Sequence, residues 1–253
     1  KRWVNDFMDK FERKAVEEAK KIKPDIVIMS PDLLDDTISI DIAKWRDGRF
    51  DIIAAQLGQH NRGTCVTSPL YTRILNDLAK PRELWVCPHV ESSNSIWSDE
   101  EIWQILSQCF QNGVTGFHLW TLGGTEIYQP DIRFSSPENW SYLMKTLQTF
   151  GEGYRVKLPE KPKAAILCSE YSQMSITAYW DWLGFIEPAY GLLGPVLKSD
   201  FEFISDLGLI RGQFDVSKYK LIVIPFAQVI EPVLIDKLVE AVKKGTTLFI
   251  SDP

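Results

Sequence analysis

ELWVCPHVE, Glu83 to Glu91, and GVTGFHLWTLGGTE, Gly113 to Glu126, decide how this chain reads. Each opens as a continuous apolar run and ends on polar and aromatic residues. A run without polar alternation is buried on both faces, as a parallel strand under helices is. The first run passes His89 and finishes on the carboxylate of Glu91. The second passes His118 and Trp120 and reaches Glu126 beyond the pair Gly123-Gly124.

Further strands and helices flank these two. Upstream, DIVIMS (Asp25 to Ser30) and FDIIAAQ (Phe50 to Gln56) are strand-like in the same way. Before them, apolar residues at Trp3, Phe7, Phe11, Ala15, Val16, Ala19 and Ile22 keep helical spacing, and Pro24 stops that helix. A helix is predicted from about Pro69 to Ala79. Another runs to about Gln111 from Ser98, with Glu101 at its capping-box position. A further helix, begun by Ser-Ser-Pro, covers Pro137 to Phe150. Residues 1–150 thus alternate helix and strand with a parallel sheet as the expectation. A closed (β/α)8 barrel takes roughly 250 residues, and the strands visible here would not close one. The expectation is the later half of such a barrel, in a chain that begins in the middle of a larger protein.

GEGYRVKLPEKPK, Gly151 to Lys163, is rich in glycine, proline and lysine, and 151–162 reads as a linker. From 163 to 253 a second α/β pattern follows: AAILCS, an aromatic-rich helical stretch through TAYWDWLGFIEPAYGLL, FEFIS, KLIVIP, a helix from Glu231 to Lys243 with Gly245 at its C-terminus, and TTLFISD. This predicts an open, mostly parallel sheet, and since the sequence stops straight after a strand the expectation is an incomplete domain.

The composition is that of a globular protein, 45% hydrophobic and 25% charged, with net charge −6 over 253 residues. The acidic balance argues against nucleic acid, which attracts a basic face. No apolar stretch approaches the roughly 20 residues of a membrane helix. Cys65, Cys87, Cys109 and Cys168 are widely spaced, with no CxxC pair and no histidine at zinc spacing, so free thiols are expected, with no metal and no cofactor. Nothing demands an oxidising compartment, and a cytoplasmic protein is expected.

In α/β barrels chemistry sits at the C-terminal ends of the strands. Those ends carry Ser30 and Asp32, Gln56 and Gln59, His89 and Glu91, His118 and Trp120. An indole is a platform for the apolar face of a sugar ring. A carboxylate is what glycoside hydrolysis requires, normally as one of two flanking the scissile bond. Each residue also has a plainer reading: a solvated loop carboxylate for Glu91, a core indole for Trp120, structural histidines for His89 and His118, a turn residue for Glu126. No Ser-His-Asp arrangement or phosphate loop competes, and the glycines at 123–124 lack the full dinucleotide fingerprint.

The order of elements resembles the second half of a family 42-type β-galactosidase barrel, followed by that family's trimerisation domain of glutamine-amidotransferase-like, flavodoxin-like fold. The opening WVNDFMDKFERKAVEEAKKIKPDIVIMS resembles the helix and fifth strand, FDIIAAQ the sixth, LWVCPHVE the seventh, and GVTGFHLWTLGGTE the eighth with its loop. KPKAAILCSEYS and the stretch from Tyr219 to Pro253 resemble the second domain. The resemblance implies a retaining glycosidase with Glu91 as nucleophile, Trp120 stacking on the sugar, and Glu126 binding substrate, with His89, His118 and Gln56 nearby. It also implies an oligosaccharide or β-glycoside substrate and a homo-oligomer, trimer or dimer. The family's acid/base glutamate lies on the fourth strand, which this sequence does not contain, so the chain alone is expected to be catalytically incomplete. SSNSIW after Glu91, and Tyr128 with Gln129 beyond Glu126, depart from the family's pattern. The competing reading is a non-catalytic carbohydrate-binding or oligomerisation protein with a degenerate half-barrel. An amidotransferase would need its cysteine on a tight strand-to-helix elbow, and Cys168 has no glycine beside it.

Overall fold

A computed structural model describes residues 2–31, 33–34, 42–57, 67–87, 91–92, 95–96, 98–118, 137–153, 158–175 and 179–251. Two four-stranded parallel sheets organise them. The first comprises β1 (Leu33–Leu34), β2 (Ile52–Gln56), β3 (Glu83–Cys87) and β6 (Gly116–Phe117), in the order β1-β2-β3-β6. A two-residue hairpin, β4 (Glu91–Ser92) and β5 (Ser95–Ile96), lies between β3 and β6 in sequence.

The register sorts the side chains of this sheet. Ile53 pairs with Leu84 and Ala55 with Val86. All four lie in one core with residues of α1 (Arg2–Ile22), α2 (Thr67–Ala79), α3 (Asp99–Gln111) and α4 (Pro137–Gly153), among them Val16, Leu75, Leu106 and Phe150. Since alternate residues point to opposite faces, Ile52, Ala54, Gln56, Trp85 and Cys87 face away from those helices. The sequence pattern of parallel strands beneath helices is therefore realised. The capping box at Ser98 is also present: the Ser98 hydroxyl accepts the Glu101 N–H and the Glu101 carboxylate accepts the Ser98 N–H.

Three details depart from the sequence reading. Asp25 to Ser30 forms a single bridge, Met29 to Ile52, in place of a ladder. The Ile28 N–H goes instead to the Asp51 carboxylate at 2.9 Å, while the Ile28 carbonyl accepts from both Asp51 and Ile52. Helix α4 continues through Gly153, into the stretch read as linker. The aromatic stripe of α1 is turned outward, with Trp3, Phe7 and Phe11 exposed. Ion pairs on its other side hold the helix to the segment that leads into β2. The buried Arg49 guanidinium binds Asp9, Glu12 and Asp47, and the Trp45 indole N–H donates to Glu12.

The second sheet has the order β10-β9-β7-β8, built from β7 (Ala164–Cys168), β8 (Phe201–Ser205), β9 (Leu221–Ile224) and β10 (Thr247–Ile250), all parallel. Helices α5 (Glu170–Ser175), α6 (Tyr179–Gly191), α7 (Asp206–Ile210) and α8 (Pro232–Lys243) complete this unit. A π-turn, Leu192–Val196, extends α6, and Gly245 at φ +98° ends α8 as its sequence position predicts. Strand order reverses at β7, the topology of an open doubly wound sheet. Among the described residues, no helix is long and apolar enough to cross a membrane.

Candidate functional site

The C-terminal end of the first sheet places a row of three side chains side by side. Gln56 pairs with Cys87 in the β2–β3 ladder. Val86 pairs with Phe117, and the His118 N–H continues the ladder by donating to the Val86 carbonyl at 3.1 Å. His118 therefore stands beside Cys87, opposite to Gln56. Strand alternation puts all three on the face turned away from the helices. Two strand spacings separate Gln56 from His118 along the row, roughly 10 Å between their Cα atoms. One level below lies Trp85, whose indole N–H donates to Glu83 at 3.1 Å.

Gln56 and His118, two of the residues singled out in the sequence, are thus brought onto one strand-end row. Between them sits Cys87, buried and in no disulfide, which the sequence reading did not place in the site. The strand period could have found it: Cys87 has the parity of Trp85, and Trp85 that of the face without helices. Glu91 opens β4, four residues beyond the end of β3, with its backbone paired antiparallel to Ile96. That places Glu91 in a hairpin just past the strand. The Glu91 side chain, and His89, Trp120 and Glu126, lie outside the described residues, as do Asp32 and Gln59.

Ser30 is at the expected end of its segment but is committed to structure. Its buried hydroxyl accepts the Ala54 N–H at 2.9 Å and donates to the Pro31 carbonyl.

The second sheet has a strand-end cluster of its own, which the sequence reading missed. The Ser169 hydroxyl donates to Asp206 at 2.8 Å, and the Asp206 carboxylate also accepts N–H groups of Glu170, Tyr171 and Leu207. The Val229 N–H, from beyond β9, donates to Ser172, whose own N–H donates to Ser169. These bonds fill the position where strand order reverses, the usual ligand crevice of an open sheet. Burial pushes the Asp206 carboxyl above its ordinary range, against the pull of those donors. Burial also holds the Cys168 thiol well above its ordinary value, with Glu170 and Asp206 adding to the effect. A nucleophilic cysteine needs the opposite environment, which agrees with the case against an amidotransferase. Among the described residues, no three His, Cys, Asp or Glu side chains gather to hold a metal.

No family model and no curated protein matches the sequence. Solved structures do resemble the fold. Gan42B, a GH42 β-galactosidase, superposes with a TM-score of 0.68 at 16% identity, over 98% of this chain and 40% of that one. The apo exo-carrageenase GH42 from Bacteroides ovatus superposes with a TM-score of 0.55 at 11% identity, over 83% of this chain and 32% of that one. The 253 residues span well under half the length of either neighbour. At these identities the likeness concerns the fold: this chain has the fold of one part of a GH42 glycoside hydrolase, a stretch of parallel barrel sheet followed by an open α/β unit.

Proposed function

We propose that this chain is part of a retaining glycoside hydrolase acting on β-glycosides, β-galactosides among them. One observation carries the reading. In a fold shared with GH42 enzymes, Gln56 and His118 stand at the C-terminal ends of the two parallel strands that flank β3, and the chain leaves β3 toward Glu91. In this reading Glu91 attacks the anomeric carbon and forms a glycosyl ester. A second carboxyl group, held roughly 5–5.5 Å from it, protonates the leaving oxygen and then activates water. That second group comes from barrel strands outside these 253 residues. Trp120 supplies a stacking face for the sugar, while Glu126, His89, His118 and Gln56 bind its hydroxyl groups. The C-terminal unit is read as a glutamine-amidotransferase-like oligomerisation domain that assembles trimers or dimers. A cytoplasmic location completes the reading, which the buried Cys87, Cys109 and Cys168, none of them in a disulfide, suit.

The test is covalent trapping. A 2-deoxy-2-fluoroglycoside is incubated with the chain joined to the polypeptide that completes its barrel, and the labelled peptide is sequenced. Label on Glu91 supports the reading. Sugar binding without label or turnover would favour the non-catalytic alternative.

A further inference from the structure

Helix α2 belongs to two cores at once. Its Tyr71, Leu75 and Ala79 pack with the first sheet and its helices. Its Leu70, Ile74 and Leu78 pack with Ala165, Ile166, Phe203 and Trp182 of the second unit. Every residue from Leu70 to Ala79 is buried. A helix apolar on both sides must be enclosed, and here the two units enclose it from opposite sides.

The polar residues of α2 close the edge of the neighbouring sheet. Strand β8 is an outer strand, paired only with β7. Its outward backbone groups would otherwise be left open, and a buried open edge must be covered. The Phe203 N–H donates to the Asp77 carboxylate at 3.0 Å, and Arg73 donates to the Phe201 carbonyl. Arg73 and Asp77 are themselves paired at 2.7 Å, and Lys80 pairs with Asp77 at 2.7 Å. Three further contacts tighten the join. Arg46 donates to the Asp77 carbonyl and lies over the Phe214 ring at 4.6 Å. The Tyr190 hydroxyl donates to Asn112, at the C-terminus of α3, at 3.2 Å. Helix α2 then passes within four residues into β3, the strand that leads to Glu91.

We propose that α2 couples the two units into one cooperative body, so that order in β3 depends on the docking of β8 against Asp77 and Arg73. Anything that stabilises the C-terminal unit, an oligomer contact included, then stabilises the strand leading to Glu91 by the same free energy. The coupling stands without the glycosidase reading; only its bearing on Glu91 rests on that reading.

Native thiols report the coupling directly. Cys87 lies in β3, Cys109 in α3 and Cys168 in β7, and all three are buried. The 253-residue chain is labelled with iodoacetamide across sub-denaturing urea, at reagent levels where labelling is slower than reclosing. Mass spectrometry of the digested chain then gives an opening constant for each cysteine. The expected result is that the constants for Cys87 and Cys168 agree within about threefold and converge on global unfolding. An opening constant for Cys168 that differs more than about tenfold from that of Cys87 overturns the proposal. A second arm uses Arg73→Met with Asp77→Leu, which removes the edge cap and keeps the helix apolar. It should raise labelling of Cys87 and Cys168 by the same factor; faster labelling of Cys168 alone overturns the proposal. Neither arm reads glycosidase activity, so the two ideas fail separately.

Discussion

Gly116 stands opposite Trp85 in the β3–β6 ladder, and the Trp85 indole occupies the space that a side chain at 116 would need. A Cβ built on Gly116 would meet the indole at 2.6 Å. A glycine inside a strand often marks such a close approach. Here the indole lies directly beneath the row formed by Gln56, Cys87 and His118. Gly116→Val should therefore cost about 1–3 kcal/mol in urea denaturation, the usual range for overpacking. Trp85→Ala should relieve part of that cost in the double variant. Additive costs in the double-mutant cycle would show that the two positions are not in steric conflict.

Gly113 and Gly245 share a left-handed backbone, at φ +96° and +98°, but differ in their surroundings. A Cβ on Gly113 would lie 2.6 Å from the buried Asn76 side chain, whereas Gly245 has open space around it. Gly245→Ala should cost about 1 kcal/mol, from backbone strain alone. Gly113→Ala should cost clearly more, since Asn76 must also move. Equal midpoints in denaturant for the two variants would contradict the steric part of this account.

The buried Asp206 predicts a pH slope of defined sign. Burial raises its carboxyl above the ordinary 3.8 in the folded chain. Between 3.8 and the folded value, the folded state keeps a proton that the unfolded state has lost. Its contribution to stability is fully present below that window and is lost as pH rises through it. Asp9 and Asp47 act oppositely. Burial disfavours their charge, but hydrogen bonds from Arg49 outweigh it, so both titrate below the ordinary range and stabilise the fold above it. Comparing Asp206→Asn with the parent isolates the first effect. Stability of the variant, measured by urea unfolding between pH 3.5 and 7, should lack the part of the decline that Asp206 causes. Parallel curves for the two proteins would mean that Asp206 does not titrate in that window.

Much of the fold is legible in residue pattern. The unalternating runs at FDIIAAQ, LWVC, AAILC and LIVI become parallel strands because helices cover them, and Ser98 and Gly245 end their helices for local reasons that need no tertiary knowledge. What pattern could not show is the double allegiance of α2. The sequence LYTRILNDLA is apolar at helical spacing, but nothing in it says that Leu70 and Tyr71 enter different cores, or that Asp77 caps a strand more than a hundred residues away. Long-range partners of a buried ion pair leave no local signal. The candidate site was legible in part: strand ends pointed to Gln56 and His118, while the place of Cys87 between them needed the register.

The far edge of the second sheet predicts self-association. Phe249 and Ile250 of β10 are 60% and 66% exposed, and as neighbours in a strand they point to opposite faces. Leu248 still packs against the core, so among the described residues it is the C-terminal end of this strand that is uncovered. Ile235, Val239 and Val242 on α8 add an apolar wall to a groove of about 720 Å³ between that helix and β10. Soluble monomers rarely leave an open strand and an apolar patch of this kind side by side. The chain should elute as an oligomer by light scattering on a sizing column. Ile235→Lys with Phe249→Lys should shift it toward monomer without changing its circular dichroism. A parent that is already monomeric at high concentration would show that this edge does not join copies of the 253-residue chain.

Glu91 carries the last prediction. Retaining hydrolysis needs two carboxyl groups, and the proposed reading finds one of them in this sequence. The 253 residues alone should not turn over aryl β-galactosides, and joining them to the polypeptide that completes the barrel should restore activity. In that protein Glu91→Ala should lower kcat by several orders of magnitude. Glu91→Gln should behave alike, because the amide keeps the shape but cannot form the glycosyl ester. Trp120→Ala should weaken sugar binding by about 1–2 kcal/mol and leave a measurable kcat, as expected for a stacking platform. Small nucleophiles decide between a nucleophile and a merely structural carboxylate. Azide added to the Glu91→Ala protein with an activated aryl glycoside should restore turnover and give a glycosyl azide of inverted configuration, since azide then enters from the vacated side. Retained configuration in that product, or full activity without Glu91, would place the nucleophile on another residue.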